Sequence, residues 1–127
     1  MQHDLTYTWK GPGGQSIIKT ISQVGDGEDN RDIDIPNGTS NLAVDYEIDI
    51  SQLKMFVMVC NKALTIKTNS SGSPQETIVL VADKPFVWVA GAGIAIPFAG
   101  DVTTIFLSNA SGAAAVLNIR TLIDATP

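Results

Sequence analysis

The sequence predicts an all-β protein: a single β-sandwich domain of the jelly-roll type, with about eight or nine strands. Three observations carry this. Ile, Val and Thr supply 35 of the 127 residues, an excess of the β-branched types that suit a pleated surface. Apolar and polar residues alternate with a period of two along most of the chain, whereas no window holds a helical repeat that does not also fit alternation or a buried strand. Turn residues recur roughly every ten positions. An immunoglobulin-like sandwich is the runner-up, but its Cys-Trp-Cys core is missing. At 127 residues the chain has the length of one domain, spanning residues 1–127, and buries enough surface to need no metal or disulfide staple.

The elements follow in order. Leu5, Tyr7 and Trp9 alternate with Thr6 and Thr8 in a first strand that ends at Gly11-Pro12-Gly13-Gly14. Ser16 to Val24 is a second, closed by Asp26-Gly27. Asp32 to Ile35 alternates strictly, and Pro36-Asn37-Gly38 offers the left-handed positions of a tight hairpin into Leu42 to Ile50. There Val44, Tyr46, Ile48 and Ile50 share one face, with Asp45, Glu47 and Asp49 opposite. Ser51 to Lys54 reads as one helical turn capped by Asp49 or Ser51. Met55 to Cys60 is apolar throughout, as a strand covered on both faces would be. Asn61-Lys62 suggests a hairpin into Ala63 to Thr68, and residues 69–74 are a loop. Thr77 to Val81, Phe86 to Ala90 and Val102 to Ser108 are further strands, and Asn109 to Gly112 suggests a hairpin into Ala113 to Ile123.

Composition excludes several functions. Eight Lys and Arg face thirteen Asp and Glu, a net charge of −5, which is the wrong sign for a nucleic-acid surface or a polybasic membrane anchor. The single Cys, Cys60, allows no internal disulfide, and the single His, His3, stands at the start of the sequence. No zinc ligand set or Ser-His-Asp arrangement can be drawn elsewhere, so no metal, cofactor, small-molecule substrate or catalytic residue is expected. The first six residues do not read as a signal peptide. Charged residues make up only 17%, against about 25% in ordinary soluble domains. Mean hydropathy is slightly positive at +0.16, yet no run reaches the roughly 20 apolar residues of a spanning helix. Apolar surface in such a chain is expected to be hidden against other subunits.

Several constellations compete with plainer readings. Asp26, Glu28, Asn30 and Asp32 fall at the first four ligand positions of a calcium loop, but Arg31 replaces the required Gly and Asn37 the closing Glu, which leaves an acidic turn leading into a strand. Asp45, Glu47 and Asp49 stand about 7 Å apart along a strand; paired carboxylates hydrolyse glycosides only in a cleft that raises one pKa. Trp9, Trp88, Tyr7 and Tyr46 fit either a core or interface, with a sugar-stacking platform as the alternative. Cys60 reads as an inert buried thiol. The three Asn-X-Ser/Thr sequons at Asn37, Asn69 and Asn109 fall in turns. The segment Gly91 to Gly100 lacks any charge and alternates Ile94, Ile96 and Phe98. Pro97 suits an edge strand. We expect Ile94, Ile96, Phe98 and Trp88 to form a subunit contact, an internal crossover being the other placement open to the segment.

Lys84-Pro85-Phe86-Val87-Trp88, Asp101 to Gly112, Leu117-Asn118-Ile119-Arg120 and Asp124-Ala125-Thr126-Pro127, with the strands from Val44 to Lys67, resemble the small structural proteins of tailed-phage virions. The resemblance is one of texture and segment order, without a catalytic or binding motif. It implies a non-enzymatic decoration or cement protein, assembled in the bacterial host cytoplasm and bound to the outer capsid surface. Its implied partners are the major capsid protein and copies of itself. Acidity suits a surface turned away from packaged DNA, and low charge suits an assembly component. A carbohydrate- or receptor-binding sandwich, at a tail tip or in a cell, is the alternative function.

Overall fold

The computed structural model describes residues 1–125, which contain ten strands and no helix. They are β1 (Gln2–Lys10), β2 (Ser16–Val24), β3 (Gly27–Ile35), β4 (Leu42–Ile48), β5 (Leu53–Cys60), β6 (Leu64–Thr68), β7 (Thr77–Leu80), β8 (Phe86–Val89), β9 (Val102–Ser108) and β10 (Ala115–Ile123). Residues Thr126 and Pro127, part of the virion-protein resemblance, lie outside the described residues.

Strands β3 to β10 pair as one long hairpin rolled on itself: β3 with β10, β4 with β9, β5 with β8 and β6 with β7, all antiparallel. Two more ladders, β10 with β5 and β9 with β6, complete sheets ordered β3-β10-β5-β8 and β4-β9-β6-β7. This is the jelly-roll sandwich that the alternation predicts. Phe56, Met58, Leu117 and Ile119 of one sheet meet Ile66, Ile105 and Leu107 of the other in a closed core. Tyr46 is fully buried at the margin of that core, where its hydroxyl and the Thr121 hydroxyl form a hydrogen bond across the sheets. Burial pushes the Tyr46 phenol up to about 12, against the opposing pull of the Thr121 bond.

The structure departs from the sequence reading in three ways. First, β1 and β2 do not enter the sandwich; they form a separate two-stranded sheet. Second, the links at Pro36-Asn37-Gly38, Asn61-Lys62 and Asn109 to Gly112 are not hairpins, because each joins strands of different sheets. Gly38 and Gly112 do take positive φ, 80° and 90°, but corners between sheets use that conformation as readily as hairpins do. Third, Gly91 to Gly100 is not an edge strand. Gly91 (φ 86°) and Gly93 (φ 77°) send the backbone on an irregular path that breaks the period of two. The turn expected over Ser51 to Lys54 lies earlier, because β5 begins at Leu53: the Asp49 carboxylate caps it by accepting from the Ser51 amide and hydroxyl, and the Asp49 carbonyl accepts from Gln52 and Leu53.

Candidate contact surfaces

The β1-β2 hairpin stands out as an arm. Its register pairs Trp9 with Ile17, Tyr7 with Lys19, Leu5 with Ile21 and His3 with Gln23, so these eight residues share one face. Only the root of that face is covered, where Leu5 and Ile21 pack on Met55, Val89 and Leu122 over the outside of the β3-β10-β5-β8 sheet. Three polar contacts hold the root: the Met1 amino group donates to the Gly25 carbonyl at 2.9 Å, the Gln23 amide donates to the Ala90 carbonyl, and His3 meets Glu28. Beyond Leu5 and Ile21 every residue from Thr6 to Thr20 is exposed, save half-buried Gly11. Trp9 is 67% exposed and Ile17 61%, although nothing in their local alternation distinguishes them from buried residues.

The opposite face of the arm is largely polar and satisfies itself. Thr6 and Thr20 hydroxyls hydrogen-bond at 2.9 Å, and Ser22 donates to Asp4 at 2.6 Å. Ile18 interrupts this face. Residues 5–24 contain Lys10 and Lys19 and no carboxylate; with Asp4 near its root the whole hairpin carries +1 and the rest of the chain −6.

The four residues expected to form a subunit contact separate in the structure. Phe98 is 3% exposed and lies in the main core, its ring 5.3 Å from that of Phe56, so it is not available to a partner. Ile96 and Trp88 are half-buried against the same core. The Trp88 indole N–H donates to the Ile94 carbonyl at 3.0 Å and thereby pins the loop. Ile94 alone is exposed, at 63%. Within the segment only Phe98 is buried, while Gly91, Gly93, Ile94, Ala95 and Ala99 are exposed.

The remaining candidates also find their places. The acidic stretch is strand β3, with Glu28, Asn30, Asp32 and Asp34 on its outer side. Asn118 and Arg120 hydrogen-bond to Asp32 and hold its carboxyl below the usual range. Arg31 turns toward the sandwich margin, paired with Asp29 at 2.9 Å and over the Tyr46 ring, and donates to the Asp45 carbonyl. Among the described residues no three His, Cys, Asp or Glu side chains are grouped to hold a metal ion. Asp45 and Glu47 are exposed on the outer face of β4, and Cys60 is buried.

Two of the sequon asparagines have structural work that the sequence reading missed. Asn109 is fully buried, donating to the carbonyls of Ile35, Pro36 and Ala113 and accepting from Ser111. Asn69, at φ 67°, bridges the Asp101 carbonyl and the Thr103 amide. An Asn that begins a sequon and is followed by Ser and Gly was the available signal, and it points to turns in general.

Comparison with known proteins yields little. No family model and no curated protein matches the chain. Among solved structures, the Schizosaccharomyces pombe Cnp3 cupin domain aligns over 95% of this chain and 84% of its own at 10% identity, with a TM-score of 0.45. A structure titled for the Bacillus endospore appendages, described as disulfide-linked pili, aligns over 77% and 88% at 19% identity, with a TM-score of 0.36.

Proposed function

We propose that the protein is a non-enzymatic structural subunit of a tailed-phage virion, held on the outer capsid surface where it decorates or cements the major capsid protein lattice. The observation that carries this reading is the arm. The sandwich closes over its own core, yet the chain extends a ribbon whose apolar face is covered only at the root. Leaving Tyr7, Trp9 and Ile17 in water forgoes on the order of 1.5–3 kcal/mol of burial for each side chain. A subunit completed by its neighbours recovers that loss. The phage assignment comes from the segment resemblance, and the acidic body agrees with a surface turned away from packaged DNA.

The test is co-sedimentation with empty capsid shells assembled without the protein. Saturable binding at a fixed ratio to the major capsid protein is expected. Failure to bind shells, together with Trp9-dependent retention on a glycan array, would replace this reading with carbohydrate recognition.

A further inference from the structure

The arm leaves a strand edge open. Met1 and Gly25 exchange hydrogen bonds at one end of the β1-β2 ladder, and the Gly11 amide donates to the Gln15 carbonyl at the other. The odd-numbered residues of β1 therefore bond β2, while the amides and carbonyls of Asp4, Thr6, Thr8 and Lys10 point away from it. Among the described residues no other backbone group meets them. Strand β1 runs for nine residues without a proline or a register shift, so nothing in its backbone blocks another strand.

Charge then selects the partner and the register. A second strand must offer its own outward-pointing groups, so in an antiparallel pair even-numbered residues stand opposite even-numbered ones. Two β1 strands related by a twofold axis at Tyr7 set Asp4 opposite Lys10 at both ends, Thr6 opposite Thr8 and Leu5 opposite Trp9. Opposed residues share a face, so both ion pairs can close. An axis at Thr6 puts Asp4 against Thr8 and loses them, and an axis at Asp4 opposes that carboxylate to itself. The open edge of β2 offers no such match, because its one charge, Lys19, lies on the face where neither strand has a carboxylate.

The same register places the apolar tip. Leu5 packs in the cluster of Met55, Val89 and Leu122, so Trp9 of the second copy enters beside it, on the outside of the β3-β10-β5-β8 sheet. A small hollow lies there, lined by His3, Asn30, Met55, Val57 and Arg120 and by no residue of β2. Gly11 of the second copy falls opposite His3 and brings no side chain against the His3–Glu28 contact. Pro12 follows it and, lacking an N–H, ends the ladder.

We propose that the open edge of β1 pairs with the β1 edge of a second copy of this chain, antiparallel about Tyr7, forming a four-stranded ribbon in which each Trp9 lies beside Leu5 of the other copy. The proposal rests on the structural-subunit reading, whose arm it supplies with a partner. The contact uses the same surface twice and closes at two copies.

The experiment is sedimentation velocity with disulfide trapping, on the full chain without shells. The wild type is expected to be a dimer. Tyr7 stands opposite its own copy at a position between hydrogen-bonded pairs, where Cα atoms are about 4.5 Å apart, within reach of a disulfide. Tyr7→Cys is expected to form a covalent dimer on oxidation. Trp9→Cys, displaced from its own copy by about 13 Å along the strand, is not, and the native Cys60 is buried. Asp4→Lys and Lys10→Asp are each expected to weaken dimerisation about tenfold. An equimolar mixture of the two should recover wild-type strength, because each supplies the charge the other lacks. A wild type that stays monomeric at millimolar concentration, Trp9→Cys linking as readily as Tyr7→Cys, or a mixture no stronger than its components would each overturn the pairing. Monomers that bind shells would defeat the pairing and leave the proposed function standing; dimers that ignore shells would do the reverse.

Discussion

Replacing Asn109 by Ala removes a latch that joins two corners of the sandwich. The Asn109 amide donates to Ala113 at 2.8 Å, Ile35 at 3.1 Å and Pro36 at 3.3 Å, and its oxygen accepts from the Ser111 amide at 3.1 Å and hydroxyl at 2.7 Å. The residue is fully buried, so the Ile35 carbonyl cannot find water in its place, whereas the partners nearer the surface recover part of their hydration. A buried group left without a partner costs about 1–3 kcal/mol and a partly hydrated bond about 1 kcal/mol, for a total near 3 kcal/mol. Unfolding entropy of about 2.1 cal/mol/K per residue then translates that loss into a fall of about 11 °C in Tm. Asn109→Asp is expected to be worse, because it keeps the acceptor for Ser111 but turns an oxygen toward three carbonyls. Calorimetry on both variants is the assay. A fall of less than about 3 °C for Ala, or a milder effect for Asp than for Ala, would show that the amide donors do not hold the corners.

Two further outcomes follow from the core. Phe98→Ala is expected to cost about 3–5 kcal/mol in chemical denaturation, the usual range for a buried Phe; a loss under about 1 kcal/mol would return Phe98 to the surface. The raised Tyr46 phenol binds its proton more tightly in the folded state than in the unfolded, so its contribution is complete below about pH 10 and fades as pH rises toward about 12. Tyr46→Phe should flatten that alkaline loss of stability, as read from Tm against pH, and an unchanged slope would contradict the assignment.

What the sequence disclosed was local. Ser16 to Val24 and Val102 to Ser108 are strands with the bounds alternation predicts, because a period of two is set by each strand's own two faces. Pairing partners are not local. Asn109 to Gly112 and Pro36 to Gly38 carry turn chemistry that serves a hairpin and an intersheet corner alike, and three hairpins were expected where the chain changes sheets. The expectation that Phe98 faces a partner fails for a related reason. Ile94, Ile96 and Phe98 alternate in sequence, but two left-handed glycines upstream redirect the backbone, so Ile94 faces out while Phe98 enters the core. Conversely, Leu5, Tyr7 and Trp9 alternate as a core strand does, and the real distinction lay in charge, since residues 5–24 contain no carboxylate in an otherwise acidic chain.

The sandwich's own edges offer little to a neighbouring strand. An open edge strand invites pairing with another chain, and proteins block it with short strands, bulges or inward charges. Each of the four edges here carries such a block. On β3, Arg31 and Asp29 pair at the margin, with Arg31 bound to the Asp45 carbonyl of β4. On β4, the register shifts between Asp45 and Ile48. Strands β7 and β8 are only four residues long. A neighbour adding a strand to the sandwich would meet these blocks, whereas β1 and β2, nine residues each, have no further strand beside them. Blocked edges thus disfavour indiscriminate strand pairing along the sandwich, while the arm presents an exposed apolar face at Trp9 and Ile17.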